Sequence, residues 1–189
     1  MAPIARRDLL KAGIGLGAAL RLDTGITVGQ EDPASSRPVK GDLLVRADDP
    51  EGTPLTPADL QPGGRPTVAW SMDPQGHTVR SGSRFNQLLV LRLEPNQLSA
   101  ETRSRAAEGV VAYTVICTHS GCDVDDWLPQ EQVLSCSCHA SMFDPKDGAR
   151  VLDGPAPRAL AALPLEVVDG KLVVAGPFTA RVGFEPGEW

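Results

Sequence analysis

The chain has 189 residues and a formal net charge of −6, and 41% of its residues are apolar. Such a length suits one domain with a leader and a linker, and an acidic chain lacks the basic face that phosphate binding needs, so no nucleic-acid partner is expected. Aromatic residues make up only 4%, whereas the chain has 19 glycines and 17 prolines. This composition predicts an all-β fold of short strands joined by many turns, with a core of Val, Leu, Ile and Ala.

The first 20 residues predict an export signal. Arg6 and Arg7 open a twin-arginine pattern that ends in Leu-Leu-Lys, and a weakly apolar run rich in Gly and Ala follows over residues 12–20. Positive charge followed by a short apolar stretch is the layout of a signal peptide. The run is nine residues long, whereas a bilayer-spanning helix takes about 20. We therefore expect a removable twin-arginine signal over residues 1–20, no durable membrane anchor and a periplasmic protein.

The rest of the chain divides into a linker and one domain. Residues 21–40 are polar and turn-rich and predict the linker, and the domain is expected over residues 41–189. Its β-branched and apolar runs predict strands, and Asp169-Gly170 predicts a hairpin turn. In chain order, we expect strands at 42–45, 67–71, 87–93, 109–116, 163–168 and 171–174, a turn of helix within 55–64 and a short helix over 98–107.

All four cysteines and two of the three histidines lie within residues 117–139. Cys117 and His119 form a Cys-x-His pair, and Cys136 and His139 form a Cys-x-x-His pair. Two thiolates on one iron and two neutral imidazoles on the other would make a [2Fe–2S] cluster less negative. Its reduction potential would then lie between roughly −150 and +300 mV. This constellation therefore predicts an iron–sulfur centre that carries single electrons.

Two other interpretations of the same residues are open. A Cys2His2 zinc site uses these ligand types, and it would make the chain a zinc-stabilised binding module. A disulfide framework would pair all four cysteines and leave both histidines unexplained. Cys122 and Cys138 stand at matching places beside the two Cys-His pairs, where they could tie the two loops together in an exported protein. More of these sequence features agree with an iron–sulfur cluster than with a zinc site or a disulfide framework, so the cluster is the favoured interpretation.

From about residue 110 to 176 the chain resembles the Rieske iron–sulfur family. Three motifs carry the resemblance: Cys-Thr-His-Ser-Gly-Cys at 117–122, Cys-Ser-Cys-His-Ala-Ser-Met-Phe-Asp at 136–144 and Gly-Pro-Ala-Pro-Arg at 154–158. They look like the two cluster-binding loops of that family and the proline loop that covers its cluster. The resemblance implies an antiparallel β-sandwich with a small cluster-binding subdomain, over about 115–158.

The resemblance also implies the ligands. One [2Fe–2S] cluster per chain would have Cys117 and Cys136 on one iron and His119 and His139 on the other. The remaining two cysteines would form a Cys122–Cys138 disulfide. The two imidazoles would lie near the surface, where a redox partner docks.

Several residues distinguish branches of the family. The disulfide is shared with cytochrome bc-complex Rieske proteins and with arsenite-oxidase small subunits. Ser141 matches a serine that donates a hydrogen bond to a bridging sulfide, and Gly154 and Pro155 belong to the covering loop. Phe143 stands where bc-type proteins have a tyrosine that donates to a cysteine sulfur, so we expect a lower potential than in quinol-oxidising relatives. Ser120 replaces a larger apolar residue that shields the cluster, which should admit more water.

Together these features predict an electron carrier with no substrate turnover and no catalytic residue of its own. It would pass electrons between an oxidoreductase, such as an arsenite-oxidase-like catalytic subunit, and a c-type cytochrome. The alternative is a quinol-oxidising Rieske subunit of a cytochrome bc-type complex, in which a cluster histidine also takes the quinol proton.

Overall fold

The computed structural model describes residues 32–184, which form two antiparallel β-sheets and one short helix. The signal predicted over 1–20 and most of the linker predicted over 21–40 lie outside these residues. The elements are β1 Leu43–Arg46, β2 Thr67–Asp73, β3 Thr78–Val79, β4 Leu88–Arg92, α1 Ala100–Arg105, β5 Val110–Thr114, β6 Asp126–Leu128, β7 Val133–Cys136, β8 Ser141–Asp144, β9 Arg150–Asp153, β10 Leu165–Val168 and β11 Lys171–Val174. The predicted all-β class is confirmed.

Seven strands form the larger sheet, which we call the base sheet. Its order is β10-β11-β1-β2-β4-β5, and β3 pairs with the end of β2. Every pairing is antiparallel. The predicted strands and the Asp169-Gly170 hairpin are found here, because short β-branched and apolar runs bounded by turn residues are typical of strands.

Two neighbouring strands at one end of the base sheet, β4 and β5, are buried on both faces. Leu88 and Val90 of β4 point into one apolar cluster, while Leu89 and Leu91 point into another. Strand β5 divides its side chains in the same way, and all five of its residues are buried. Because successive side chains of a strand alternate between faces, these strands are shared walls of two cores.

The predicted helix over 98–107 is shorter in the structure. Helix α1 begins after Ser99, whose hydroxyl accepts a hydrogen bond from the backbone N–H of Thr102, and it ends at Arg105. An oxygen at this position satisfies one of the N–H groups that a helix start leaves unpaired. The expected turn of helix within 55–64 is a single 3-10 turn at Pro57–Asp59.

The smaller sheet, which we call the cap sheet, has the order β6-β7-β8-β9. It lies within the range 115–158 that the sequence assigns to a cluster-binding subdomain. Trp127, Leu134 and Phe143 are buried in the cluster that the cap sheet shares with one face of β4 and β5. The cap sheet therefore packs on the base sheet through this shared core.

The last part of the predicted linker is bound to the domain. Arg80 makes a buried ion pair with Asp42 and also donates hydrogen bonds to the hydroxyl of Ser36 and, at 3.3 Å, to the carbonyl of Pro33. Asn86 donates to the carbonyl of Ser36 at 2.8 Å. Pro33 and Ser36 belong to the polar, turn-rich segment that was predicted as a linker. They thus accept hydrogen bonds from side chains that lie far away in the sequence.

Within residues 32–184, no helix combines the length and the apolar character that a membrane crossing requires.

Candidate metal centre

Two loops at the end of the cap sheet carry the predicted ligands. The first loop, residues 117–122, follows the end of the base sheet, and the second loop, residues 136–140, joins β7 to β8. Cys117 donates its backbone N–H to the carbonyl of Cys122 at 2.8 Å, and Gly121 donates to the carbonyl of Cys117 at 3.1 Å. The first loop is therefore closed on itself by its own backbone.

The two thiols that lie outside the disulfide, Cys117 and Cys136, are each 1% exposed. Burial raises the pKa of the Cys136 thiol to about 11, a backbone hydrogen bond from Cys138 lowers it, and the hydrogen-bonded side chain of Cys117 raises it again. Two adjacent thiols in an apolar setting cannot both ionise without a counter-charge. A metal centre would supply that charge, so this pair fits a site that binds thiolates to iron.

The two imidazoles lie side by side. The ring centroids of His119 and His139 are 4.6 Å apart and their planes meet at 85°. His139 is exposed and His119 is half-buried. The loops thus bring the two predicted Cys-His pairs together, with the thiols on the buried side and the imidazole of His139 on the surface.

A disulfide joins the two loops. Cys122 of the first loop is bonded to Cys138 of the second, with 6.6 Å between their Cα atoms. This pairing confirms the predicted disulfide. The sulfur atoms of Cys122, Cys136 and Cys138 lie within 4.8 Å of one another, but two of these sulfurs are used by the disulfide. The group is therefore part of the same site and not a separate metal-binding cluster.

The proline loop, residues 154–158, packs directly on the second loop. Gly154 has a φ of +87°, and a Cβ atom there would lie 2.5 Å from the Cα atom of Ser141. Ala156 donates its backbone N–H to the Ser141 hydroxyl oxygen at 3.2 Å. Because that oxygen accepts, its proton is left for donation, in keeping with the predicted role of Ser141. Pro155 is exposed beside it.

Phe143 lies on the cap sheet two residues after Ser141. Its side chain is fully buried, and it is paired across the strands with Leu134 and Val151. A phenyl ring has no hydroxyl to donate, so no hydrogen bond reaches the site from this position. This agrees with the expectation of a lower potential, which stays a prediction.

Three further contacts hold the loops, and no motif in the sequence identifies them. Thr118 donates its hydroxyl to the carbonyl of Arg158 at 2.6 Å. Arg84 donates to the carbonyl of Gly121 at 3.0 Å. Asp125 accepts from both the backbone and the hydroxyl of Ser137, at 3.0 and 2.6 Å. Arg84 lies 37 residues from Gly121 and Asp125 lies 12 residues from Ser137, so local patterns give no sign of these partners.

Comparisons with known proteins agree with this geometry. Residues 74–164 match the family model of the Rieske [2Fe-2S] domain. The Rieske iron–sulfur subunit of the cytochrome bc1 complex of Streptomyces lividans is 38% identical over 157 residues, which cover 79% of this chain and 88% of that protein. The chain belongs to the Rieske iron–sulfur family. It is accordingly a Rieske electron-transfer protein with a [2Fe–2S] cluster as its cofactor, as predicted, and the zinc module is set aside.

Other proteins to which the chain is similar are less similar or longer. The cytochrome bc1 Rieske subunit of Mycobacterium tuberculosis is 33% identical over 166 residues, covering 77% of this chain but only 38% of that protein. Among solved structures, the ferredoxin of carbazole 1,9a-dioxygenase from Nocardioides aromaticivorans matches with a TM-score of 0.43 and 20% identity, covering 75% of this chain and 99% of that one. The chain thus spans less than half the length of some relatives.

Proposed function

We propose that Cys117 and Cys136 bind one iron of the cluster and that His119 and His139 bind the other. The observation that carries this proposal is the meeting of two buried, hydrogen-bonded thiols with two imidazoles on loops joined by a disulfide. Cluster ligands need fixed positions, and the disulfide, the proline loop and the loop backbones supply them.

The protein then acts as a one-electron carrier between an oxidoreductase and a c-type cytochrome. The cluster supplies the one-electron chemistry when it is bound. The exposed ring of His139 offers a short path to a docked partner, while the buried thiols keep the other side of the site away from water. An arsenite-oxidase-like catalytic subunit is one candidate for the oxidoreductase.

A second candidate function is that of a quinol-oxidising subunit in a cytochrome bc-type complex. The observation that favours it is the similarity to bc1 Rieske subunits of other bacteria. An exposed His139 could also accept a quinol proton. The absence of a hydroxyl at Phe143 argues for the first candidate, because a lower potential suits quinol oxidation less well.

Export by the twin-arginine route is part of the proposal. The Cys122–Cys138 disulfide supports it, because structural disulfides persist in oxidising compartments such as the periplasm. The Arg6-Arg7 pattern supports it as well. Replacing both arginines (Arg6→Lys with Arg7→Lys) should leave the unprocessed protein in the cytoplasmic fraction, as followed by immunoblotting. Equal export of the variant and the natural chain would overturn this part.

One spectroscopic experiment tests the ligand set. The protein is purified aerobically, reduced with dithionite and examined by EPR, and a rhombic signal with a low average g value is expected. His139→Cys should replace that signal by one of an all-thiolate cluster or abolish it, whereas His77→Cys, on an exposed turn, is the matched control and should leave it unchanged. A natural chain that contains stoichiometric zinc and no iron would overturn the proposal.

A second experiment separates the two candidate functions. The midpoint potential is measured by redox titration, and oxidation of a quinol analogue is assayed with a c-type cytochrome as acceptor. A potential below that of quinol-oxidising relatives, with no quinol-dependent cytochrome reduction in membranes that contain the protein, supports the carrier. Quinol-dependent reduction that disappears when the gene is deleted supports the bc-type subunit instead.

A further inference from the structure

The chain continues past the base sheet and returns to the first loop. We call residues 179–184 the C-terminal segment. Its start is bound to the base, since Thr179 exchanges two hydrogen bonds with Ala162, at 2.9 and 3.0 Å. Further on, Val182 is buried in the core that lies between the two sheets. The segment thus follows a defined path from the base sheet toward the cluster-binding end.

Arg158 of the proline loop holds the end of this segment. Its guanidinium donates to the carbonyl of Arg181 at 2.9 Å and to the carbonyl of Gly183. Its own carbonyl accepts the hydroxyl of Thr118, a residue of the first loop. One residue therefore connects the proline loop, the first loop and the C-terminal segment.

The aromatic ring of Phe184 lies on the backbone of the first loop. A Cβ atom at Gly121 would stand 2.8 Å from Cδ1 and 3.0 Å from Cε1 of Phe184. Gly121 also has a φ of +79°. The ring can approach the loop this closely only because Gly121 has no side chain.

The residue beside this contact is Ser120, whose side chain is short and polar. Its hydroxyl lies 3.8 Å from the Cys122 sulfur, next to the disulfide. The first loop therefore offers no large apolar side chain of its own at the position where resembling proteins have one. The ring of Phe184 supplies an apolar group instead, and it packs on Gly121, the residue that follows Ser120.

We propose that Phe184, held in place by Arg158, is the cover of the first loop and limits the access of water to the cluster. Phe184 and Arg158 are positioning residues, since they act on the loop that carries Cys117 and His119. This proposal rests on the ligand set proposed above. It goes beyond that ligand set because it assigns the shielding of the cluster to a segment outside the three Rieske motifs.

The first test replaces the ring. In Phe184→Ala, the rate at which a strong iron chelator bleaches the visible absorbance should rise about tenfold, which corresponds to about 1.4 kcal/mol in favour of loop opening. Electron spin-echo spectra of the reduced protein in D2O should show deeper deuterium modulation, because more solvent reaches the cluster. Phe178→Ala is the matched control, since Phe178 packs on the two apolar cores. It should leave the deuterium modulation unchanged.

The second test examines the role of Arg158. Arg158→Met should increase deuterium modulation as Phe184→Ala does, and combining the two should add little, because both remove the same contact. Arg150→Met is the control, since the side chain of Arg150 is 55% exposed and pairs with Asp144 and Asp147. Fully additive effects of Arg158→Met and Phe184→Ala would contradict a shared role.

The third test is a rescue. Adding Ser120→Leu to Phe184→Ala should return both the chelation rate and the deuterium modulation toward the values of the natural chain. Failure of the natural chain to bind any [2Fe–2S] cluster would overturn the proposed ligand set. A natural chain that holds its cluster, together with a Phe184→Ala variant of identical chelation rate and modulation, would overturn the cover alone.

Discussion

The base sheet and the cap sheet are held together in different ways. In the base sheet, β4 and β5 pair over five residues and are buried on both faces by aliphatic side chains. The cap sheet has strands of three or four residues, and most of β9 is exposed. Its loops depend on a disulfide, on the contact at Gly154 and on single hydrogen bonds from Thr118 and Arg84.

This difference indicates that the base sheet and the cluster-binding loops are stabilised by different kinds of interaction. A large sheet with apolar residues on both faces gains much of its stability from burial. A small sheet of short strands gains less from burial, and it needs cross-links or a bound metal to keep one arrangement. The base can therefore form before the cluster is inserted, whereas the final arrangement of the loops should depend on it.

Removing the cluster should have the largest effect, and it should speed amide hydrogen exchange in the cap sheet only. After extraction with acid and chelator and return to neutral pH, amide hydrogen exchange should become faster by about 100-fold or more at Leu134 and Phe143. Exchange at Leu172 and Val174 of the base, whose side chains lie in the core that the cap does not share, should change little. Hydrogen exchange read by NMR checks this, with the reconstituted protein as control. An equal loss of protection in both sheets would refute the independence of the base.

Adding a methyl group at Gly154, beside the cap, should lower the free energy of unfolding more than the same change at Gly170 in the base. Gly154→Ala adds a Cβ atom 2.5 Å from Ser141 and a strained φ, for a total of about 3 kcal/mol. Gly170→Ala is the matched control, since Gly170 also has a positive φ but nothing within 4 Å of the added atom. It should cost about 1 kcal/mol. Denaturant unfolding of both variants measures the difference, and equal losses would contradict the close packing.

Introducing a hydroxyl at residue 143 should change the midpoint potential of the cluster and leave the base unchanged. Phe143→Tyr should raise the midpoint potential by about 40 mV, the equivalent of about 1 kcal/mol for one hydrogen bond that favours the reduced state. Phe178→Tyr, with its ring on the two apolar cores, is the control and should leave the potential unchanged. Redox titration followed by circular dichroism checks both. A lowered potential in Phe143→Tyr would contradict the hydrogen-bond argument.

The smallest expected effect concerns the acid stability of the second loop. Hydrogen bonds from the side chain and backbone of Ser137 lower the pKa of Asp125. A lowered pKa in the folded state stabilises the protein above the unfolded pKa of about 3.9, and this stabilisation disappears as the pH falls through the folded pKa.

Asp125→Asn should therefore lower the melting temperature between about pH 5 and 7, and the two proteins should converge at about pH 2 to 3. Asp48→Asn, at an exposed position of the base, is the control. Thermal unfolding followed by circular dichroism at each pH checks the prediction. A constant difference across the whole range would contradict it.

Local patterns in the sequence predict much of the base. The strands expected at 67–71, 87–93 and 109–116 are observed as Thr67–Asp73, Leu88–Arg92 and Val110–Thr114. Their residues form short apolar or β-branched runs, and glycines and prolines mark the turns between them. The four strands of the cap were not predicted, because each has at most two apolar residues in succession and polar residues flank them.

By itself, the sequence determined the ligand spacing, the three loop motifs and, through the family resemblance, the Cys122–Cys138 disulfide. These depend on residue types at short separations, and short separations are visible along the chain. Only the tertiary structure decided that residues 32–40 are bound to the domain, that Arg84 reaches Gly121 and that Phe184 covers the first loop. Those partners lie tens of residues apart, so their contacts exist only after the two sheets have packed together.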